Sequence, residues 1–185
     1  RWDIVVGNAH IWSTSPCQVQ PLAIPTGEDN IMIISDRIWM NDINTKLVIE
    51  LSYAFTNIAN LAQGGIILYS ENRNCNHYYY VAMDPNKNTI FFAEIINSQQ
   101  SIIDFQPLQF TVANNVYYTL RIDLINGIEY VISVNDEQYI NSIHVAFSNF
   151  QEEVSPYIGI RTNAPLVVKS LFVSGRPTIS PRPDW

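Results

Sequence analysis

What this chain has little of narrows its class first. Only 15% of its 185 residues are charged, and 10 Lys and Arg stand against 17 Asp and Glu, a net charge of −7. No Lys/Arg cluster offsets that balance locally, so a phosphate backbone would be repelled and nucleic acid is not an expected partner. No apolar run approaches the ~20 residues that span a bilayer, and no charged head followed by an apolar stretch resembles a signal peptide. Cysteine occurs twice, at Cys17 and Cys75. Two cysteines in a chain of this size do not define a disulfide framework, and a bond between them or two buried free thiols both fit. Asn-X-Ser/Thr is absent despite abundant Asn, Ser and Thr, which argues against a eukaryotic secreted origin and leaves a bacterial surface protein open. No long stretch keeps a helical period; Phe147 to Val154 offers at most a turn or two.

What is present is strand chemistry. Hydrophobic residues make up 47% of the chain, enough for a folded core and too many for a disordered segment. Ile and Tyr favour strands, and Asn at the boundaries of apolar runs supplies turns because its side chain bonds nearby backbone and tolerates positive φ. A chain of this length suffices for one domain that buries roughly 70% of its unfolded surface. It begins at Arg1 rather than Met, as expected of a piece of a longer precursor or a processed product.

The organising stretch is Gly64 to Met83, GGIILYSENRNCNHYYYVAM. An apolar run breaks into a polar, Asn-rich turn and a second aromatic run follows at strand length, which reads as a hairpin at the centre of a sheet. Before it, Leu47, Ile49, Leu51, Tyr53 and Phe55 share one face of a strand, while Val48, Glu50, Ser52 and Ala54 share the other, partly wet one. After it, Asp84 to Asn88 is a turn, Thr89 to Ile96 a strand, and Asn97 to Ser101 another turn. Tyr118, Leu120, Ile122 and Leu124 read as core, with Tyr117, Thr119, Arg121 and Asp123 opposite. Asn126-Gly127 signals a hairpin to Tyr130 to Val134, and Asn135-Asp136 turns into Glu137 to Ile140. Tyr157 to Thr162 places Ile158 and Ile160 inward, with Tyr157 and Arg161 outward, and Val167 to Val173 is a last strand. Trp2 to Val6, Ile11 to Ser13 and Ile31 to Ile34 are shorter strand pieces. Pro16, Pro21 and Pro25 space an irregular segment expected to lie over an edge or a sheet face. The pattern predicts an all-β, antiparallel two-sheet β-sandwich of residues 1–175, followed by a Pro-rich tail or linker at residues 176–185.

The order LVIELSYAF, GGIILYSENRNCNHYYYVAM, VYYTLRIDLINGIEYVISVNDEQ and YIGIRTNAPLVVKSLFVSG resembles the concanavalin A-like jelly-roll domains of the broad laminin-G-like group, over about Ile31 to Gly175. The resemblance implies a jelly roll and, commonly, a sugar-binding module of a larger extracellular or cell-surface protein, with protein-binding and catalytic members also in the group. It further implies a structural calcium held partly by an Asp in the last strand. Here that region reads Val167-Val168-Lys169-Ser170, with Lys where the Asp is expected.

Sugar recognition needs a flat aromatic to stack on a pyranose and planar polar groups to pair with neighbouring hydroxyls. The wet face offers Glu50, Tyr117, Arg121 and Arg161, joined by Tyr69 if Ile66 and Leu68 point inward. The alternative is an ordinary set of cross-strand ion pairs on a solvated sheet. A second candidate is the turn carrying Arg73, Asn76, His77 and Tyr79, since loops on a rigid sandwich often bind ligands; turn-forming Asn and core tyrosines account for it equally. Glu28-Asp29-Asn30 is the compact oxygen-rich cluster that suits Ca²⁺, although two loop carboxylates more often only solvate. No other cofactor is expected. Catalysis is not expected either: the acidic Glu-X-Asp-X-X-Glu strand of concanavalin-type hydrolases is missing, Glu152-Glu153 diverge, and His10, His77 and His144 have no Gly-X-Ser-X-Gly beside them. The expected function is noncatalytic carbohydrate binding or adhesion with a glycan or surface polysaccharide as partner; the alternative is a protein-interaction or assembly module with another protein as partner, and the third reading is a glycan-cleaving enzyme.

Overall fold

The computed structural model describes residues 2–6, 12–15, 18–21, 30–34, 38–39, 47–70, 75–125, 129–143, 157–174 and 176–177. These form strands β1 (Trp2–Val6), β2 (Trp12–Ser15), β3 (Gln18–Pro21), β4 (Asn30–Ile34), β5 (Ile38–Trp39), β6 (Leu47–Phe55), β7 (Gly64–Ser70) and β8 (His77–Asp84). The remainder are β9 (Thr89–Ile96), β10 (Gln99–Pro107), β11 (Tyr118–Ile125), β12 (Glu129–Val134), β13 (Glu137–Ile143), β14 (Tyr157–Thr162), β15 (Leu166–Ser174) and β16 (Arg176–Pro177). No helix occurs among the described residues, and none is long and apolar enough to cross a membrane.

Two antiparallel sheets face each other. The first has the order β1-β4-β14-β7-β8-β9-β10, which puts β7 at its centre, and the second has the order β13-β12-β11-β6-β15-β3-β2. Chain order and sheet order diverge because β6 and β7, like β14 and β15, are consecutive but lie in different sheets. The period-2 patterns decide what lies between them. Ile49, Leu51, Tyr53 and Phe55 of β6 and Leu120, Ile122 and Leu124 of β11 meet Ile66, Leu68, Val81, Met83, Ile90 and Phe92 of the first sheet in one core cluster. Phe92 and Tyr130 pack ring to ring across the sheets at 4.6 Å, and the Tyr53 hydroxyl donates to the Gly64 carbonyl. Strand alternation therefore becomes a sandwich core.

Several expectations are corrected. Asn97 to Ser101 is not all turn: Asn97 and Ser98, both at positive φ, make a two-residue link, and Gln99 already begins β10. That strand escapes a periodicity reading because it is exposed along most of its length and so carries no alternation. Within the Pro16 to Pro25 segment, Gln18–Pro21 is a regular strand, with Pro21 as its last residue where a missing ladder donor costs least. Arg176 and Pro177 pair with Trp39 and Ile38. The turns at Asn126-Gly127 and Phe147 to Val154 lie outside the described residues, while β11 and β12 on either side of the former pair antiparallel from Ile125↔Glu129 onward.

The largest correction concerns Tyr157 and Arg161. Both are buried, because the outer face of the first sheet is a second core built from Ile67, Cys75, Tyr78, Tyr80, Ala82, Phe91, Ala93, Ile95 and Tyr157. Arg161 lies in that layer with its guanidinium 4.8 Å from the Tyr80 ring centroid and 5.9 Å from that of Tyr78, a cation–π setting. Across the sheet it faces Gly65, whose neighbour in turn is Ala82, so small residues leave room beside the long side chain.

Candidate functional site

The outer face of the second sheet gathers three of the expected site residues. Antiparallel register sets Phe172, Glu50, Arg121 and Ser133 in one row across β15, β6, β11 and β12. Side chains directly opposite on one face meet. Arg121 donates from Nε to Asp123 Oδ2 and from Nη2 to Asp123 Oδ1, both at 3.0 Å, and its Nη1 lies 3.5 Å from Glu50 Oε2. These hydrogen bonds to Asp123, with the charges of Asp123, Glu50 and Asp136, raise the guanidinium pKa above its ordinary value against the opposing cost of desolvation. The next row holds the hydroxyls of Ser170, Ser52 and Thr119. Beyond it stands Tyr117, 42% exposed, with the Lys169 ammonium 5.7 Å from its ring centroid.

The arrangement is chemically mixed in a useful way. Two exposed aromatics, Tyr117 and Phe172, bracket hydroxyls and a planar guanidinium held in a fork by carboxylates. A partly exposed ion network contributes only about 0–1 kcal/mol per pair to stability, so its main effect is to fix where donors and acceptors point. Arg121 has five N–H groups and uses three in these contacts, leaving two more on the same planar group.

The other expected residues do not join this face. Arg161 belongs to the opposite sheet and is buried, which removes it from any wet surface. Tyr79 is also a correction: it is buried in the main core with its ring 5.7 Å from Phe92 and its hydroxyl donating to Glu94 Oε1 at 3.1 Å. Tyr78, the other phase of that strand, is buried in the second core. His77 meets the same Glu94 oxygen at 2.8 Å, a half-buried contact at the rim of the core. Asn76 is exposed and its carbonyl accepts from the Asn97 amide at 2.7 Å. Arg73 and the Tyr69 side chain lie outside the described residues, as do Cys17, Glu28, Asp29, His10, His144 and Glu152-Glu153. Cys75 is a buried free thiol, which burial pushes up in pKa and Ser70 Oγ, donating to its sulfur at 3.4 Å, pulls down.

Phe172, Lys169 and Asp123 complete the face and were not among the expected sugar-binding residues. Asp123 carried a signal, since its alternation with Arg121 already set it on that side. Phe172 carried a misleading one. It shares parity with the buried Val168, but a β-bulge between Val168 and Ser170 shifts the register, so Leu171 and Val173 turn inward and Phe172 turns out, 56% exposed.

No protein-family model and no curated protein matches the sequence. Solved structures are similar in fold. Carbohydrate-binding module CBM66 from Bacillus subtilis aligns over 93% of this chain and 94% of its own with a TM-score of 0.69 at 15% identity. The lumenal domain of VIP36, in a form bound to Ca²⁺ and Man3GlcNAc, aligns over 95% of this chain and 84% of its own at 0.64 and 11%. Galectin LEC-6 from Caenorhabditis elegans aligns over 88% and 99% at 0.53 and 14%. This is the concanavalin A-like jelly-roll fold.

Within this jelly roll, β15 is the last long strand and the place where the resemblance calls for a calcium-holding Asp. Lys169 occupies that stretch with its cation directed at Tyr117. A second cation beside it would be repelled, so the residues present do not fit a calcium there. Among the described residues, no group of three or more His, Cys, Asp or Glu is placed to hold a metal.

Proposed function

We propose that this jelly roll is a noncatalytic carbohydrate-binding or adhesion module of a larger extracellular or cell-surface protein, and that it reads a glycan on the outer face of its second sheet. The observation that carries the reading is the convergence of Tyr117, Phe172 and the Glu50–Arg121–Asp123 cluster on one exposed face. An aromatic supplies the stacking surface and the forked guanidinium supplies paired donors, the two requirements of sugar recognition. The similarity in fold to a carbohydrate-binding module, a glycan-bound lumenal domain and a galectin agrees with it. Residues 1–175 form the module in this reading, and the Pro-rich stretch 176–185 leads out of it after Arg176 and Pro177 have paired with β5.

A glycan-cleaving role is disfavoured by the same geometry. Glu50 and Asp123 do form a carboxylate pair, brought together from two strands, but the Arg121 guanidinium fills the space between them where a glycosidic oxygen would have to sit. The test is a glycan array probed with the domain, once with Ca²⁺ and once with chelator. A calcium-independent hit is expected, weakened about 10- to 100-fold by Arg121→Ala through loss of charge-assisted hydrogen bonds. A blank array under both conditions defeats the reading.

A second reading, a protein-interaction or assembly module, has one observation in its favour. Strand β10 exposes Ile102, Ile103 and Phe105 at an edge of the first sheet that no other strand among the described residues pairs. A strictly monomeric chain that captures no protein would remove it.

A further inference from the structure

The outer face of the second sheet has a length as well as a chemistry, and that length bears on which glycan it takes. Phe172 stands opposite Glu50, and Tyr117, continuing the Tyr118↔Tyr53 register by one residue, stands opposite Ala54. The two aromatics are thus four residues apart along the strands and two strands apart across them. At ~3.3 Å per residue and ~4.8 Å per strand the diagonal is roughly 16 Å. A pyranose ring is about as wide as one strand spacing of ~4.8 Å. A single sugar reaches one aromatic or the other, whereas about four rings in line, three ring-to-ring steps of ~4.8 Å, reach both.

The groups between the aromatics suit the middle of a chain. The Ser170 and Thr119 hydroxyls lie in one row, with the buried Ser52 between them, and the Glu50–Arg121 pair in the next, along the face that the diagonal crosses. Its carboxylates Glu50, Asp123 and Asp136 outnumber its cations Arg121 and Lys169. An anionic polymer would gain little from this patch and would meet a chain of net charge −7.

Resting on the carbohydrate-binding reading, we propose that the ligand is an uncharged polysaccharide strand, bound along its length with one ring stacked on Tyr117 and another on Phe172. It is not a terminal sugar held in a pocket. The face grips a run of about four residues.

The experiment is calorimetric titration with neutral glucan, mannan, xylan and fructan oligosaccharides from the single sugar upward, with polygalacturonate fragments as the anionic series. Affinity should climb with length to about four residues and then level, and Tyr117→Ala or Phe172→Ala should each remove roughly three- to tenfold of the gain made by the longer chains. Both side chains are exposed, so the variants should keep the wild-type melting temperature. A single sugar that binds as tightly as the longer chains, or a preference for the anionic series, overturns this inference while leaving a carbohydrate-binding module standing. Failure of every glycan to bind removes that reading and the inference with it.

Discussion

Gly65→Ala tests how tightly the central hairpin of the jelly roll is built. A Cβ at this position would stand 2.0 Å from the Val81 carbonyl oxygen, 2.6 Å from the Ala82 Cα and 2.8 Å from the Ala82 Cβ. Two of these neighbours are backbone in the adjacent central strand, so relief requires β7 and β8 to separate at the Gly65↔Ala82 pair. Overpacking costs about 1–3 kcal/mol where side chains can give and more where they cannot, and a disturbed ladder hydrogen bond adds about 1 kcal/mol. Reduced freedom of the unfolded chain returns about 0.4–1 kcal/mol. The steric term wins, leaving a net loss of about 3–4 kcal/mol. For a domain of this size that lowers the melting temperature by roughly 6–16 °C. Gly64→Ala is the internal control, since its Cβ would meet only side-chain atoms of Leu166 and Phe55 at 3.0–3.1 Å, which can shift; its loss should be about 1 kcal/mol. Thermal unfolding followed by circular dichroism reads both variants. If Gly65→Ala melts within about 2 °C of the wild type, or below Gly64→Ala in effect, the steric reasoning is wrong.

Two further outcomes follow from buried hydroxyl and thiol groups. Tyr53→Phe deletes the hydroxyl that donates to Gly64 across the sheets and should cost about 1–2 kcal/mol in denaturant unfolding; an unchanged midpoint would show that the bond contributes nothing net. Burial raises the Cys75 thiol above its ordinary 9.0 and the Tyr53 phenol far above its ordinary 10.0. The unfolded chain then loses these protons first, so stability is intact below about pH 9 and declines as pH rises through the range between unfolded and folded values. Unfolding measured from about pH 8 to pH 11 should show that decline, and a flat profile would contradict it.

Which residues alternate toward a core was legible in the chain itself. Leu47 to Phe55 and Tyr118 to Leu124 carry period-2 patterns strong enough to name their buried faces residue by residue, and Asn-rich breaks mark most turns between strands. The pairing of Glu50 with Arg121 was within reach for the same reason, since both sat on the wet side of clear strands. Periodicity reports side, however, and not sheet. Arg161 alternates outward as Arg121 does, yet it lies on the other layer, where the outer face is buried as a second core. Nothing local to Tyr157–Thr162 encodes that burial. The bulge in β15 is equally hidden: one extra residue between Val168 and Ser170 reverses parity and delivers Phe172 to the surface. A chain sets its own rhythm through side-chain chemistry, whereas register, layer and covering are set by contacts between segments far apart in sequence. For that reason the sandwich was determined by the sequence alone, and only the tertiary structure decided which aromatics stand beside Arg121.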